Sequence, residues 1–415
     1  MTTAQLGGHA AFVRMLHERG LLDDTWRRVW NAVPREPFIP TRAWRQDPDG
    51  CTLLTSPADR LALIHADEPV VIQLDDGAED GPGVATSSNS QPSMVARSLG
   101  LLQLKDGARV LEIGTASGHV AALLSERLGD TNVFSVEIDP SLAGHAGAAL
   151  HAAGHWPHLR CGDGEAGWSD GAPFDAILAT CALRRIPAEY LDQVRPGGVI
   201  VAPLAREFWS GALVRLTVRD NGTAVGAFHG GASYMPMRSH RVGEGTSVDS
   251  RTARCRPTLL GASGVLHLGF ALWGGTRLPG VRLWHSQGPA GVQVGAQHGD
   301  GSPATAVAGD VWEYGPRDLW SEIEAAHRDY VDLGSPGAEQ FGITVRPEAE
   351  YLWLHRPDNV HAPVREWRSA YRPGRPCTPV APTGVHRTMS TTSPARASVC
   401  RLSPSALYVH GLSAP

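Results

Sequence analysis

Glycine residues at the end of an apolar segment give the clearest chemical signal in this sequence. Residues 110–118 read Val-Leu-Glu-Ile-Gly-Thr-Ala-Ser-Gly, a buried strand followed by a turn that contains Gly114 and Gly118. Glycine is required where a backbone turns sharply and passes close to a bound nucleoside, because a Cβ atom there would collide with the ligand. The pattern therefore predicts a nucleoside site at the end of this strand.

A dinucleotide-binding loop is the alternative interpretation of these glycines. Such a loop has the pattern Gly-x-Gly-x-x-Gly, which allows helix N–H groups to hold a pyrophosphate. Here the third and sixth positions of the pattern are Ala116 and His119. The pyrophosphate signature is therefore broken. His119 is interpreted as a residue at the start of a helix rather than as a catalytic group.

Two acidic residues follow later apolar segments and extend the predicted site. Glu137 ends the next strand, nineteen residues after Gly118, where its carboxylate can accept hydrogen bonds from both hydroxyls of an unphosphorylated ribose. Asp163, in the sequence Cys-Gly-Asp-Gly, is placed to accept from the exocyclic amine of an adenine. The alternatives are a solvated strand-end acid for Glu137 and an ordinary Asp-Gly turn for Asp163.

Strands and helices alternate from residue 109 to residue 201, and they must position these side chains. Alternation of this length predicts a parallel sheet covered on both faces, a doubly wound α/β domain over residues 55–220. The predicted strands are 109–113, 133–138, 174–179 and 199–201, and the predicted helices are 121–128, 142–153 and 189–194.

Other regions flank this domain. Residues 1–54 are expected to form a helical cap, in which Asp24 and Thr25 cap the second helix. Residues 73–92 are predicted to be a surface loop that runs into a helix at about 93–104. Residues 221–370 are assigned to a smaller α+β domain, and 371–415 to a disordered tail. Within that α+β domain the predicted strands are 265–273, 281–284 and 351–354, and the predicted helix is 319–330.

Composition limits the class of protein. The net charge of −5 gives no reason to expect nucleic acid as a partner. The sequence has no apolar run long enough to span a bilayer and no signal-like N-terminus, so we expect a cytoplasmic protein with no membrane partner. Six scattered cysteines without a C-x-x-C pair predict free thiols and no metal site.

Taken together, the motifs resemble the protein-L-isoaspartate (D-aspartate) O-methyltransferase family. The resemblance rests on 110–118, the Val-Glu-Ile at 136–138, the Gly-Asp-Gly at 162–164, Ser-Gln-Pro at 90–92 and the segment 33–40, Val-Pro-Arg-Glu-Pro-Phe-Ile-Pro. It implies a Rossmann-like class I methyltransferase sheet that binds S-adenosyl-L-methionine. The residues expected to bind this cofactor are Glu112, Gly114, Thr115, Ala116, Gly118, Glu137, Ile138, Asp163 and Gly164.

The predicted reaction is methyl transfer from a sulfonium to a carboxylate of a peptide or protein. An aspartate-type acceptor is already ionised at neutral pH, with a reference pKa near 4, so no general base is required. Positioning and exclusion of water should supply most of the acceleration. Ser90 matches the family's hydroxyl residue beside the cofactor and the acceptor, and Ser88 and Thr86 lie near it. These three hydroxyls are the candidate catalytic groups, since they donate without adding a charge that would repel the sulfonium.

The sequence departs from the repair enzymes of that family at two points. An insertion follows residues 69–77, and Ser93 stands where an aromatic residue is usual. These departures and the second domain resemble the subgroup that acts on ribosomally made, modified peptides such as lanthipeptides, lasso peptides and graspetides. That subgroup methylates an aspartate side chain, and the neighbouring backbone amide then expels methanol to give an aspartimide or isoaspartate.

We therefore expect a modified precursor peptide as the acceptor, bound in part by the second domain. Tyr234, Met235 and Met237 are candidates to line the peptide surface, although a core role is the alternative for each. A second hypothesis is repair of isoaspartyl residues in damaged proteins. A third is a catalytically weak peptide-binding module, because Ala116 replaces the family's usual glycine.

Overall fold

A computed structural model describes residues 3–48, 50–241 and 253–366 of the chain. The predicted tail at 371–415, with Cys377 and Cys400, lies outside the described residues. The other four cysteines are free thiols. None of the described helices is both long and apolar enough to cross a bilayer.

The N-terminal region begins with helices α1 (Thr3–Glu18) and α2 (Asp24–Ala32), which pack against each other. Helix α2 buries Trp26 and Trp30. Its N-cap is Asp23, whose carboxylate accepts from the Trp26 N–H at 2.7 Å. The prediction of a cap at Asp24 and Thr25 is therefore wrong by one residue: Asp24 is already inside the helix.

The region predicted as a purely helical cap also contains strands. Strands β1 (Trp44–Asp47) and β2 (Gly50–Leu53) form a hairpin, followed by helix α3 (Pro57–Ile64). With β3 (Val70–Leu74) and β4 (Ala85–Asn89) the hairpin makes a four-stranded sheet in the order β2-β1-β3-β4.

The predicted surface loop at 73–92 is wrong over strand β4. This strand pairs with β3 and buries alternate residues, Ala85, Ser87 and Asn89. Its small polar side chains resemble loop composition, but they alternate between the two faces of the sheet as any strand's do. The predicted helix after this segment is present as α4 (Pro92–Leu102).

Five parallel strands form the centre of the molecule, which confirms the predicted parallel sheet; four of them overlap the predicted strands, and β7 has no counterpart among the predicted ranges. They are β5 (Val110–Ile113), β6 (Val133–Glu137), β7 (His158–Cys161), β8 (Phe174–Ala179) and β9 (Val194–Arg206). The helices between them are α5 (His119–Leu128), α6 (Pro140–Ala152) and α7 (Ala188–Gln193). Large apolar clusters cover the sheet. The chain runs from β5 outward to β7 and then returns to place β8 on the other side of β5. Ligands bind at such switch points, beyond the carboxyl ends of the strands.

The sheet continues past the predicted domain boundary at residue 220. Strands β10 (Trp209–Val218) and β11 (Ala224–Gly231) extend it in antiparallel fashion, one before and one after that position.

A second group of strands and helices follows in the described residues from 253 onward. Its elements are β12 (Arg254–Pro257), α8 (Ala262–Leu266), α9 (Leu268–Arg277), β13 (Val281–Gly288), β14 (Gly291–His298), β15 (Pro303–Val307), β16 (Asp310–Glu313) and α10 (Leu319–Asp332). The strands form an antiparallel sheet in the order β12-β16-β15-β14-β13. Helices α8 and α10 pack against this sheet, and α9 packs against both of these helices.

The strand predicted at 265–273 is wrong, because these residues lie in α8 and α9. Helix α9 is apolar on nearly all sides and buries Phe270, Leu272 and Trp273, so its sequence carries no helical periodicity. The strand predicted at 281–284 and the helix predicted at 319–330 are confirmed within β13 and α10.

Three last strands return to the central sheet. They are β17 (Phe341–Val345), β18 (Ala349–Leu354) and β19 (Val360–Glu366), and β17 pairs with β11. The strand predicted at 351–354 is confirmed within β18. The central sheet thus has ten strands among the described residues, in the order β19-β18-β17-β11-β10-β9-β8-β5-β6-β7.

Candidate functional site

A cleft opens at the carboxyl ends of β5, β6 and β8, at the switch point of the parallel sheet. Its walls enclose about 1070 Å³, counting the part open to solvent. One wall carries the predicted nucleoside-binding turns, and the other carries the predicted hydroxyl residues. Nine of the twelve sequence-predicted site residues are therefore brought together around one space.

The first turn of the cleft follows β5 and contains both predicted glycines. Gly114 lines the cleft with φ at +102°, and a Cβ built on it would lie 2.9 Å from the Thr180 hydroxyl. That hydroxyl donates to the Gly114 carbonyl at 2.6 Å. Gly118, at φ +86°, begins α5 and approaches Ala146 rather than the cleft. Each glycine is thus required by backbone conformation, and Gly114 also by the close approach of β8.

Glu137 lies at the end of β6, where it lines the cleft while being only 7% exposed. One carboxylate oxygen accepts the Ala116 N–H at 2.8 Å, and the other accepts the Asp139 N–H at 3.0 Å. Burial raises the pKa of this carboxyl, and the two backbone donors partly offset that effect. Each oxygen retains a second lone pair, so the group can still accept from a ligand.

Ala116 adopts the left-handed conformation, with φ at +47°, and lines the cleft. A non-glycine residue there costs on the order of 1 kcal/mol. Its N–H nevertheless reaches Glu137. The turn therefore keeps its hydrogen bond despite the added methyl group.

Glu112, Thr115 and Gly118 do not contact the cleft. Glu112 is fully buried beneath the turn, where the Ser135 hydroxyl donates to it at 2.7 Å; Thr115 and Ser135 lie 2.6 Å apart. Burial raises the pKa of Glu112 to about 8. Its other oxygen, Oε1, has no hydrogen-bond partner among the described residues. The side chains of Glu112 and Thr115 therefore support the turn from below.

The third predicted element lies beside the first. Asp163 lines the cleft, and its carboxylate also accepts the Glu165 N–H at 3.0 Å. Gly164 follows, and a Cβ on it would lie 2.5 Å from Ile113. The Tyr190 hydroxyl donates to the Gly164 carbonyl at 2.9 Å and fixes the turn. Ile138 supplies an apolar contact to the same space.

The three predicted hydroxyl residues all line the opposite wall. Thr86 is already committed: its hydroxyl donates to Gln73 at 3.1 Å and accepts the Asp76 N–H at 3.0 Å. The hydroxyls of Ser88 and Ser90 make no hydrogen bond to any residue that the structure describes. Ser88 and Ser90 are thus free to donate to a ligand, whereas the Thr86 proton is already used.

Arg35 fixes the turn that carries Ser90, a role that sequence reasoning missed. Its guanidinium is 2% exposed and donates to the carbonyls of Glu68, Asn89 and Ser90 at 2.7, 3.1 and 3.2 Å, and to the Asn89 side chain at 2.5 Å. Burial lowers the pKa of Arg35 to about 9. The family motif at 33–40 contains this arginine, which is the one signal for its role in the sequence.

The environments of the His119 imidazole and the Cys181 thiol do not suit acid–base catalysis. His119 packs against Trp30 and Phe38, and burial lowers the pKa of its imidazole to about 3. This position agrees with the prediction of a helix-start residue. Burial raises the pKa of the Cys181 thiol, which lines the cleft, to about 12.

Residues 233–241 cross the cleft, and we call them the strap. The Ala182 N–H donates to the Met235 carbonyl at 2.8 Å, and the Met237 N–H donates to the Ala182 carbonyl at 2.9 Å, which ties the strap to the end of β8. Tyr234, Met235 and Met237 line the cleft, as do Arg238 and Arg241. The two arginines were not predicted from the sequence.

Comparison with known proteins finds relatives in one family of methyltransferases. A family model for protein-L-isoaspartate(D-aspartate) O-methyltransferase matches residues 64–242. Protein-L-isoaspartate O-methyltransferase 2 of Shewanella sediminis is 41% identical over 36% of this chain and 61% of the relative, so the match spans less than two thirds of that protein. Protein-L-isoaspartate O-methyltransferase of Pyrococcus horikoshii is 31% identical over 54% of this chain and 96% of the relative.

A solved protein-L-isoaspartate O-methyltransferase structure shares the fold, with a TM-score of 0.51 at 19% identity over 83% of this chain and 98% of that chain. The class I methyltransferase sheet and the family predicted from the motifs are therefore confirmed. The chain belongs to the protein-L-isoaspartate O-methyltransferase family of S-adenosylmethionine-dependent methyltransferases.

Proposed function

We propose that this chain transfers a methyl group from S-adenosylmethionine to an aspartate-type carboxylate of a peptide. The observation that carries the proposal is the pairing of two walls in one cleft: Glu137 and Asp163 stand on the nucleoside side, and the uncommitted hydroxyls of Ser88 and Ser90 stand on the other.

The residues on the nucleoside side fit the family's cofactor. Glu137 keeps lone pairs for two ribose hydroxyls, and Asp163 can accept from an adenine amine. Gly114 and Gly164 keep Cβ atoms out of this wall. When bound, the cofactor supplies an electrophilic methyl group on a sulfonium centre.

The protein's own task is then to orient the acceptor and to exclude water. The acceptor carboxylate is ionised without help at neutral pH, so transfer needs no basic side chain. Accordingly, His119 is buried in packing and Cys181 stays protonated. Ser90, fixed through Arg35, and Ser88 donate hydrogen bonds to the acceptor without bringing a positive charge toward the sulfonium.

For the acceptor we propose the aspartate side chain of a modified precursor peptide. Once the ester forms, the amide nitrogen of the next residue attacks the ester carbonyl and its proton leaves with methanol, giving an aspartimide. Addition of one water across an imide C–N bond then opens the aspartimide to isoaspartate. Support comes from the segment at 75–84 between β3 and β4, which reaches the strap through Asp76, and from the region after residue 253. The segment at 75–84 adds surface beside the cleft that an extended peptide could contact, and the region after residue 253 joins the same sheet through the pairing of β17 with β11.

Isoaspartyl repair is the second candidate function. Relatives at 31–41% identity carry the name of that activity, and this favours a free isoaspartyl carboxylate as the acceptor. The two candidates share every step up to the ester and differ in the peptide that enters the cleft.

One experiment separates these functions. The protein is incubated with S-adenosylmethionine and either a synthetic isoaspartyl peptide or a constrained precursor peptide encoded by an adjacent gene, and products are followed by mass spectrometry. Tailoring predicts a methyl ester on the precursor and then a net loss of one water from it. The matched control is the same precursor with asparagine at the modified aspartate.

The other outcomes are equally clear. Methylation confined to the isoaspartyl peptide would refute tailoring and support repair. Saturable calorimetric binding of peptide with no binding of S-adenosylmethionine would instead indicate a peptide-binding module without transferase activity.

A further inference from the structure

The charges around the cleft are unfavourable for an anionic acceptor. Glu137 and Asp163 line it, and Asp139 lies next to its wall. Among the described lining residues, the cationic side chains are Arg238 and Arg241 of the strap. A carboxylate that enters this cleft therefore finds its electrostatic complement at these two positions.

Both arginines contact the same carboxylate, Asp76. Arg238 Nη2 lies 3.0 Å from Asp76 Oδ1 and 3.2 Å from Asp139 Oδ2. Arg241 Nη2 donates to Asp76 Oδ1 at 2.9 Å, and its Nη1 donates to the other oxygen, a bidentate pair. The hydrogen bond from Arg241 is the main cause that lowers the pKa of Asp76. One loop carboxylate thus serves two guanidinium groups.

The loop presents Asp76 in an unfavourable backbone conformation. Asp75 and Asp76 have φ at +49° and +54°, in the left-handed region that non-glycine residues seldom adopt. The Asp75 carboxylate holds the loop by accepting the N–H groups of Gly83 and Val84 at 2.7 and 2.8 Å. The Asp76 N–H is held by Thr86 on the hydroxyl wall. The local structure therefore fixes a carboxylate on the two arginines at the cleft.

The contact is also accessible to exchange. The side chains of Arg238 and Arg241 are each 33% exposed, and that of Asp76 is 35% exposed. Ion pairs at this exposure are weak and screened by salt. Replacement of Asp76 by a carboxylate from another molecule keeps the number of ion pairs unchanged and requires little reorganisation of the arginines.

We propose that Arg238 and Arg241 are specificity-determining residues that bind a carboxylate of the acceptor peptide, and that Asp76 occupies their place until the acceptor arrives. This inference rests on the proposed carboxyl methyltransferase function and assigns its acceptor-side cations. It makes Asp76 an internal competitor of the substrate.

Steady-state kinetics with a synthetic isoaspartyl peptide and the precursor peptide test this assignment. Arg241→Gln is expected to raise the KM for the peptide that the wild type methylates about tenfold and to leave S-adenosylmethionine affinity within twofold. Asp76→Asn, which removes the competitor, is expected to lower that KM about threefold. Arg27→Gln, which breaks an exposed ion pair with Asp24 on α2, away from the cleft, is the matched control and should change neither quantity.

Calorimetry of peptide binding in the presence of S-adenosylhomocysteine gives a readout that does not depend on turnover. Weaker peptide binding by Arg241→Gln, with a folded protein by circular dichroism, supports the assignment. The assignment would be overturned if the wild type methylates a peptide and Arg241→Gln has the same KM for that peptide. It would also be overturned if the variant lost affinity only for the cofactor. If the wild type binds cofactor but methylates neither peptide, the proposed function fails, and this inference fails with it.

Discussion

Substitution of Glu137 by glutamine tests the nucleoside side of the cleft most directly. The change keeps the size of the side chain but removes its charge and replaces one acceptor oxygen by an NH₂ donor. In the wild type, both oxygens accept backbone N–H groups, from Ala116 and Asp139. One of these N–H groups would then face a donor, and one ribose hydroxyl would lose its acceptor.

The expected loss of affinity follows from the lost hydrogen bond. A hydrogen bond to a charged group contributes about 1.5–3 kcal/mol. The Kd for S-adenosylmethionine should therefore rise roughly 10- to 150-fold. Since burial raises the pKa of Glu137, the measurement is made at mildly alkaline pH, because a higher pH favours the carboxylate form.

Isothermal titration calorimetry with S-adenosylmethionine and with S-adenosylhomocysteine measures the effect, and thermal unfolding verifies the fold. Glu126→Gln is the matched control, because Glu126 is exposed on α5, away from the cleft. A Kd for Glu137→Gln within twofold of the wild type, in a folded protein, would refute the assignment of the ribose site to the end of β6.

Three other variants test the remaining parts of the site. Ser90→Ala should lower kcat/KM for the methylated peptide about tenfold, the effect of one hydrogen bond, and leave cofactor affinity unchanged. Ser239→Ala on the strap is its control. Equal kcat/KM values for Ser90→Ala and the wild type would contradict the role of the hydroxyl. Gly114→Ala should lower S-adenosylmethionine affinity at least tenfold, because the new Cβ lies 2.9 Å from Thr180 at φ +102°, and unchanged calorimetric binding would refute this. Burial raises the pKa of Glu112 to about 8 from its ordinary value of 4.5, so the folded protein binds the extra proton and its stability should fall as pH rises between those values. In urea unfolding, Glu112→Gln should show a flatter dependence of stability on pH over that range than the wild type, and parallel pH profiles would contradict the burial argument.

The residues of the wall that we assign to the nucleoside could be placed at one cleft from the sequence because their signals are local. The turn after β5, Glu137 and the turn at 162–164 each follow a strand, and parallel strands bring their carboxyl ends to one edge of the sheet. At these turns the required backbone conformation determines the residue type, as Gly114 illustrates. A short sequence window therefore contained most of the information.

The acceptor side could not be predicted in the same way. Arg241 contacts Asp76, a residue 165 positions earlier in the chain, and the contact depends on how the strap folds back over the cleft. Arg35 is 55 positions from Ser90. Neither pairing has a periodic pattern, so only tertiary structure reveals it. The prediction of a strand at 265–273 was wrong for a different reason: a fully buried helix and a buried strand have similar composition.

The pairing of β17 with β11 determines what the additional region after residue 253 can do. Four residue pairs join these strands, so the chain returns to the same sheet that forms the cleft. A continuous hydrogen-bonded ladder resists hinge bending, unlike a flexible linker. If this region binds part of the acceptor peptide, as proposed, the peptide is presented to the cleft at a fixed distance and angle. Modification would then be restricted to one aspartate at a set spacing from the bound segment.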